Sequence, residues 1–227
     1  MKPAFWARRA HKWIGLVVGV QALLWMVSGV YMTVVSLDII HGDHLAHTHG
    51  EPLAPSAAWI DPVEHRPGLA SYRLKRLLDR EVFEIREDGE VSLIDARDGR
   101  AASPLDERTA RALGEAAYQG EGKVASVTWI IEAPQEVATR PVPMWAVRFA
   151  DRGETTLYFS PDSGELLARR HSLWRWFDFL WMLHIMDYDT RSDVNNTLLR
   201  TAAGVGLAFA LSGVWLLFYS FRRRTAA

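Results

Sequence analysis

No cysteine occurs among the 227 residues. That absence excludes disulfides, thiolate metal sites, cysteine-ligated iron–sulfur clusters and cysteine nucleophiles at once. Net charge is almost absent too, because 26 Lys and Arg stand against 27 Asp and Glu. A chain without a basic excess lacks the electrostatic footprint of nucleic-acid binding, so no nucleic acid is expected as a partner. HExxH and GxSxG do not occur, and no flavin or nicotinamide motif is present. Ser160 and Ser163 lie in a turn, not a nucleophile elbow, and the acidic residues are scattered as on a solvated surface. No catalytic residue and no metal-ligand set is therefore assigned. A mean hydropathy of −0.05 is too low for a chain embedded throughout in a bilayer. With 49% hydrophobic residues, the apolar side chains must gather in a few segments around a soluble part.

Two segments qualify. Residues 13–37 form an uncharged apolar run behind Lys2, Arg8, Arg9 and Lys12. Residues 198–219 form another, followed by Arg222, Arg223 and Arg224. About 20 apolar residues span a bilayer, so both are long enough. No small-x-small cleavage site follows the first, which reads as an uncleaved anchor. Between them, residues 173–188 read LWRWFDFLWMLHIMDY, short for a span and carrying Arg175, Asp178 and His184. If this stretch crossed the bilayer, the C-terminal arginines would lie outside, against the positive-inside rule. Laid along the outer interface, it leaves both termini cytoplasmic, and Trp174, Trp176 and Trp181 suit that depth. The expected division is a basic N-terminus (1–12), a first span (13–37) and a His-rich linker (38–56). A soluble domain (57–170), an interfacial aromatic helix (171–190), a second span (198–219) and a basic tail (220–227) complete it.

Small residues make a stripe on each span, Gly15, Gly19 and Ala22 on the first and Ala202, Gly206 and Ala210 on the second. Such stripes allow close helix packing, and glycine is also simply common in membrane helices. The spans share a phrase, Ser28-Gly29-Val30 and Ser212-Gly213-Val214.

The linker holds His41, His44, His47 and His49. Their spacing matches no zinc module, so the segment reads as a solvated linker from which His41 or His44 supplies a single ligand. His184 is either an interfacial side chain, bonded to Asp187 or a backbone carbonyl, or a cofactor ligand.

Within 57–170, alternation predicts strands at 71–78, 82–86, 91–95, 124–131, 145–150 and 155–160, and helical spacing predicts a helix over 106–118. An internal repeat underlies them. GLASYRLKRLL (68–78) is similar to KVASVTWIIEA (123–133), and 82–100 is similar to 145–165. Both copies close on a turn ending in glycine, Gly99 and Gly164. A short helix around 56–63 is expected before the first copy. Two repeats, 57–105 and 106–170, are expected to share a core containing Leu74, Phe83, Ile85, Val127, Val147 and Leu157.

The layout resembles the PepSY-associated transmembrane family. LYFSPDSGELL (157–167) is similar to its strand–Asp–turn–Gly signature, HKWIGLVVGVQALLWMVSGVYM (11–32) to its first helix, and HGDHL (41–45) and WMLHIMDYD (181–189) to motifs of its short two-helix members. The resemblance runs from about residue 8 to residue 220 and implies an α+β fold with two transmembrane helices, an interfacial helix and an extracytoplasmic domain of two PepSY-like repeats. It implies a protein of the bacterial inner membrane whose main domain is periplasmic. Larger relatives include siderophore-iron reductases, which hold haem between helices. By that resemblance His184, with His44 or His41, would ligate a haem b walled by Phe177, Trp181 and Met182, with Asp187 or Asp43 fixing a ring tautomer. The protein would then serve electron transfer in iron acquisition. With fewer helices than those reductases, it would need a homodimer or a membrane redox partner. PepSY domains also bind and restrain peptidases. On that reading Trp129, Trp145 and the 134–143 loop would form a surface for a peptide or protein ligand by strand addition, unless they fill the domain's own core.

Overall fold

The computed structural model describes residues 3–47, 53, 58–64 and 66–221. His49, Ser56 and Arg222 to Arg224 lie outside the described residues. The chain divides into two compact units, Met1–Ser36 with Trp176–Ala227, and Leu37–Arg175.

The first unit is helical. Helix α1 (Pro3–Val34) and helix α5 (Thr197–Phe221) contain apolar stretches, Arg8–Val34 and Thr197–Phe218, long enough to cross a membrane. At 1.5 Å per residue each exceeds the ~30 Å hydrocarbon core. Their apolar side chains point outward, with Val17 74% and Phe218 73% exposed, a surface that suits lipid and not water. Helix α4 (Ser172–Ile185) has 14 residues and reaches ~21 Å, too short to span.

Helices α1 and α5 meet along one face. His11 stacks on Phe209 with ring centroids 4.1 Å apart and an interplanar angle of 11°. A Cβ at Gly15 would stand 3.0 Å from the Phe209 ring, whereas a Cβ at Gly19 would meet nothing within 4 Å. Gly15 is therefore the close-packed glycine, and Gly19 is not part of this seam. After α4 the chain turns on Asp187. Its carboxylate accepts from the backbone N–H groups of Asp189, Thr190, Ser192 and Asp193 and from the Thr190 hydroxyl at 2.6 Å. These bonds, the Thr190 hydroxyl first, hold the carboxyl far below its ordinary range.

The second unit carries two antiparallel sheets. Strands β1 (Leu69–Leu77), β2 (Arg80–Glu87) and β3 (Glu90–Asp95) form one in chain order. Strands β4 (Val124–Ile130), β5 (Met144–Phe149), β6 (Thr156–Phe159) and β7 (Leu166–Arg170) form the other, also in chain order. The expected strands are all present. Each sheet opens with a hairpin whose first strand bulges at a matching place, Leu69/Ser71 and Val124/Ser126. Strand β7 was not expected, because LLARR has neither alternation nor β-branched residues. Helix α3 (Glu107–Ala117) starts at an Asp106 cap, whose carboxylate accepts from the Thr109 N–H at 2.8 Å. The expected short helix around 56–63 does not form in its described part. Residues 58–63 are irregular or in turns, with the Asp61 carboxylate accepting from Val63 N–H.

The core is a chain of clusters. Phe83, Ile85, Ile94 and Ala96 make one, Val82, Leu93 and Leu105 a second, and Val147, Phe149, Leu157 and Phe159 a third. Leu113 of α3 packs on both the second and the third, so it joins the cores of the two sheets. Leu74 and Val127 are half-buried at the margins, not interior as expected. On the other face of the second sheet, Val137 packs with Met144, Ala146 and Tyr158. The 134–143 loop thus seals the core there. Part of the expected linker is also built into this unit: Ile40 and Ala46 are fully buried, and Ala46 bridges Tyr118.

Candidate functional site

In the helical unit, Gln21, Trp25 and Ser28 lie on one face of α1, at the spacing of successive helical turns. That face grips the last turn of α4, whose terminal carbonyls have no partner within their own helix. The Trp25 Nε1–H donates to the His184 carbonyl at 2.8 Å, and the Gln21 amide donates to the Leu183 carbonyl at 3.4 Å. Asn196 supplies a third donor, to the Ile185 carbonyl at 2.9 Å. The His184 side chain is held as well, with Nδ1 2.8 Å from the Oγ of fully buried Ser28. No protein partner for His184 Nε2 is found among the described residues. Along α4 the rings of Phe177, Trp181 and His184 are nearly parallel, each step about 6 Å with a 10° interplanar angle. Asp187 does not orient His184, because its oxygens are taken by the loop that follows. Asp178 pairs with Arg191, whose carbonyl accepts from Trp181 Nε1–H.

His41 and His44 belong to the second unit. His41 ends helix α2 (Leu37–His41) and is exposed. His44, also exposed, lies edge-on to His171 with ring centroids 6.0 Å apart. Asp43 forms an ion pair with Arg169 at 3.1 Å. His171, to which the sequence reading assigned no role, is buried and donates from Nε2 to the Ile40 carbonyl at 3.1 Å. Burial pushes its pKa below the ordinary histidine value. His44 and His171 line a cleft of about 770 Å³, with Tyr118, Asp151 and Arg152 on its other walls. Burial raises the Asp151 carboxyl, but bonds from Thr155 and Tyr118 outweigh it and hold the pKa below its usual range. Asp151 therefore builds the wall and is not an available base. No group of three or more potential metal ligands is found among the described residues.

The arrangement of an apolar first helix, a sheet domain, an aromatic helix and a second apolar helix matches one family model, the PepSY-associated TM region, over residues 8–227. The chain belongs to that family. No similar protein is found among curated proteins, and no solved structure matches. Membership, together with two helices long enough to span, makes this PepSY-associated chain a membrane protein.

Proposed function

We propose that this PepSY-associated protein binds a b-type haem through His184 and acts as an electron-transfer component at the outer face of the bacterial inner membrane, linked to reduction of siderophore iron. The observation that supports this reading is the way α1 holds His184. Backbone and ring are both bonded to α1, and Nε2 has no protein partner among the described residues. Imidazole suits haem iron, and an outer-shell bond to the other ring nitrogen is the usual way to orient such a ligand. This hold on His184 supports haem as the group that its Nε2 would meet. Haem held by two imidazoles exchanges single electrons without an open coordination position. His184 would hold it, and Phe177 and Trp181 would exclude water beside it. His44 or His41 would supply the second imidazole, and alanine variants of each test that choice. A membrane redox partner or a second copy would supply the remaining helices, and a separate membrane redox donor would supply the electrons.

The basic cluster Arg8, Arg9 and Lys12 favours a cytoplasmic N-terminus, two spans return the C-terminus to that side, and the sheet domain then faces the periplasm. The matching bulges of β1 and β4 support reading the domain as two PepSY-like repeats.

A reduced-minus-oxidised absorption spectrum of the detergent-solubilised protein tests the reading. Soret and α bands are expected in the wild type and in His11→Ala, and are expected to vanish in His184→Ala while the protein stays in the membrane. Absence of those bands in wild-type protein expressed with ample haem overturns it.

A second reading has one observation in its favour. Strand β4 is a sheet edge without a charged residue, and beside it Trp129 is 42% and Ile131 67% exposed. Such an edge accepts an added strand, which fits a non-enzymatic module that restrains a peptidase or another envelope protein. Trp145 is less suited to this surface, since its Nε1–H donates to the Leu105 carbonyl at 2.8 Å and its ring packs on the core.

A further inference from the structure

The two Ser-Gly-Val phrases of the spans do the same chemical task. The Ser28 hydroxyl lies 2.7 Å from the Leu24 carbonyl and 2.8 Å from His184 Nδ1. The Ser212 hydroxyl lies 2.7 Å from the Phe209 carbonyl and 2.8 Å from His11 Nδ1. A hydroxyl has one proton, and a carbonyl oxygen can only accept. Two acceptor oxygens at 2.7 Å repel unless a proton lies between them, so each serine directs its proton back to its own helix. Each serine oxygen must then accept from the imidazole. A neutral imidazole has one N–H, so the proton sits on Nδ1 and the lone pair on Nε2.

We propose that Ser28 is a positioning residue that locks His184 in the Nδ1–H tautomer and leaves Nε2 as its single lone pair, and that Ser212 does the same for His11. For His184 this rests on the haem reading only in what Nε2 is for. The tautomer follows from the hydrogen bonds alone. The device suits a site among apolar helices: the anchor is a buried serine whose own proton is already committed, so no water or carboxylate is required. It also explains why the orienting group is a hydroxyl in the span and not Asp187 nearby in sequence.

The test uses the full-length, detergent-solubilised protein labelled with ¹⁵N-histidine at a pH where imidazole is neutral. Protonated and unprotonated ring nitrogens resonate far apart, and His184→Gln and His11→Gln difference spectra assign the two rings among the eight histidines. Wild-type His184 and His11 are expected with Nδ1 protonated. Ser28→Ala is expected to shift His184 toward the Nε2–H form and leave His11 unchanged, Ser212→Ala to do the converse, and Ser28→Thr, which keeps the hydroxyl, to restore the wild-type signal. Haem titration of Ser28→Ala is expected to show about 10–100-fold weaker binding. A wild-type His184 protonated on Nε2 overturns the proposal without any variant. So does an unchanged tautomer in a folded Ser28→Ala. If the tautomer responds as stated but wild-type protein takes up no haem, the positioning role stands and the haem reading fails.

Discussion

Gly114 of α3 lies against Val147 of β5 so closely that a Cβ at residue 114 would stand 2.6 Å from the valine Cγ1. The helix owes its seat on the second sheet to that missing side chain. Gly114→Ala is expected to destabilise the domain by about 1–3 kcal/mol through overpacking. Val147→Ala in the same chain should recover part of the loss, because it removes the atoms that clash. Thermal unfolding of the four combinations reads the coupling directly, and additive losses would contradict the contact.

Glu136 ties the 134–143 loop to both the sheet and the start of α4. One carboxylate oxygen accepts from the Tyr158 hydroxyl at 2.6 Å, and the other accepts from Arg175 Nε–H at 2.7 Å. Burial first, and then Glu136, raise the Tyr158 pKa far above its ordinary value, so the phenol stays a donor. Glu136→Ala leaves the buried Tyr158 hydroxyl without its acceptor and Arg175 with the Glu154 carbonyl alone, and is expected to cost about 1–3 kcal/mol. Tyr158→Phe removes a donor and leaves Arg175 paired, so its fall in melting temperature should be the smaller. Equal falls would show that Arg175 adds nothing.

Acid should destabilise the protein in two separate steps. Burial holds His171 below the ordinary value of about 6.5. The unfolded chain therefore takes up that proton before the folded chain does. The contribution is whole above about pH 6.5 and is lost as pH falls toward the folded value. Glu84 follows at lower pH. Burial raises its carboxyl, but hydrogen bonds from Lys75 and Arg73 outweigh this and lower it. Its contribution is present above about pH 4.3 and lost as pH falls through the lower folded value. Melting temperatures from about pH 8 to 5 should decline in the wild type and flatten in His171→Gln, which keeps a donor for the Ile40 carbonyl. A decline that survives the substitution would remove His171 from the account.

Much of this architecture is legible in the residue order, for physical reasons. The alternation that defines β2 and β5 and the spacing of apolar residues on α3 are local, so they survive in one dimension. The two long apolar runs have no alternative fate. Strand β7 is not legible because LLARR becomes a strand only by pairing with β6, a tertiary effect. The linker histidines mislead for a related reason: Ala46 is buried against Ala117 and Phe149, and the Ile40 carbonyl meets His171, all far along the chain. At the candidate site His184 stands out in sequence, but its anchor does not. Ser28 is 156 positions away, and a serine in an apolar helix looks the same whether or not an imidazole meets it. Asp187 is close in sequence and chemically apt, yet four backbone N–H groups and a hydroxyl claim it first. The phrase Ser-Gly-Val was visible twice, but its meaning required seeing which ring each serine faces.

Two glycines of α1 look equivalent in the sequence and differ in the structure. Gly15 and Gly19 are one helical turn apart, and both belong to a stripe that suits close helix packing. Only Gly15 is spent on it. A Cβ there would touch the Phe209 ring at 3.0 and 3.2 Å, and that ring is also the platform on which His11 stacks. At Gly19 a side chain would extend into open space. Gly15→Leu is therefore expected to push α5 away from α1 and lower the melting temperature of the solubilised protein. It should also disturb the His11–Ser212 bond, since both groups ride on the displaced seam. Gly19→Leu is expected to leave the melting temperature and the His11 ring signal unchanged. If Gly19→Leu instead destabilises the protein while Gly15→Leu does not, the α1–α5 seam is wrong. If Gly19→Leu leaves the fold intact but abolishes crosslinking between copies, that face packs against a second chain, and the stripe serves assembly.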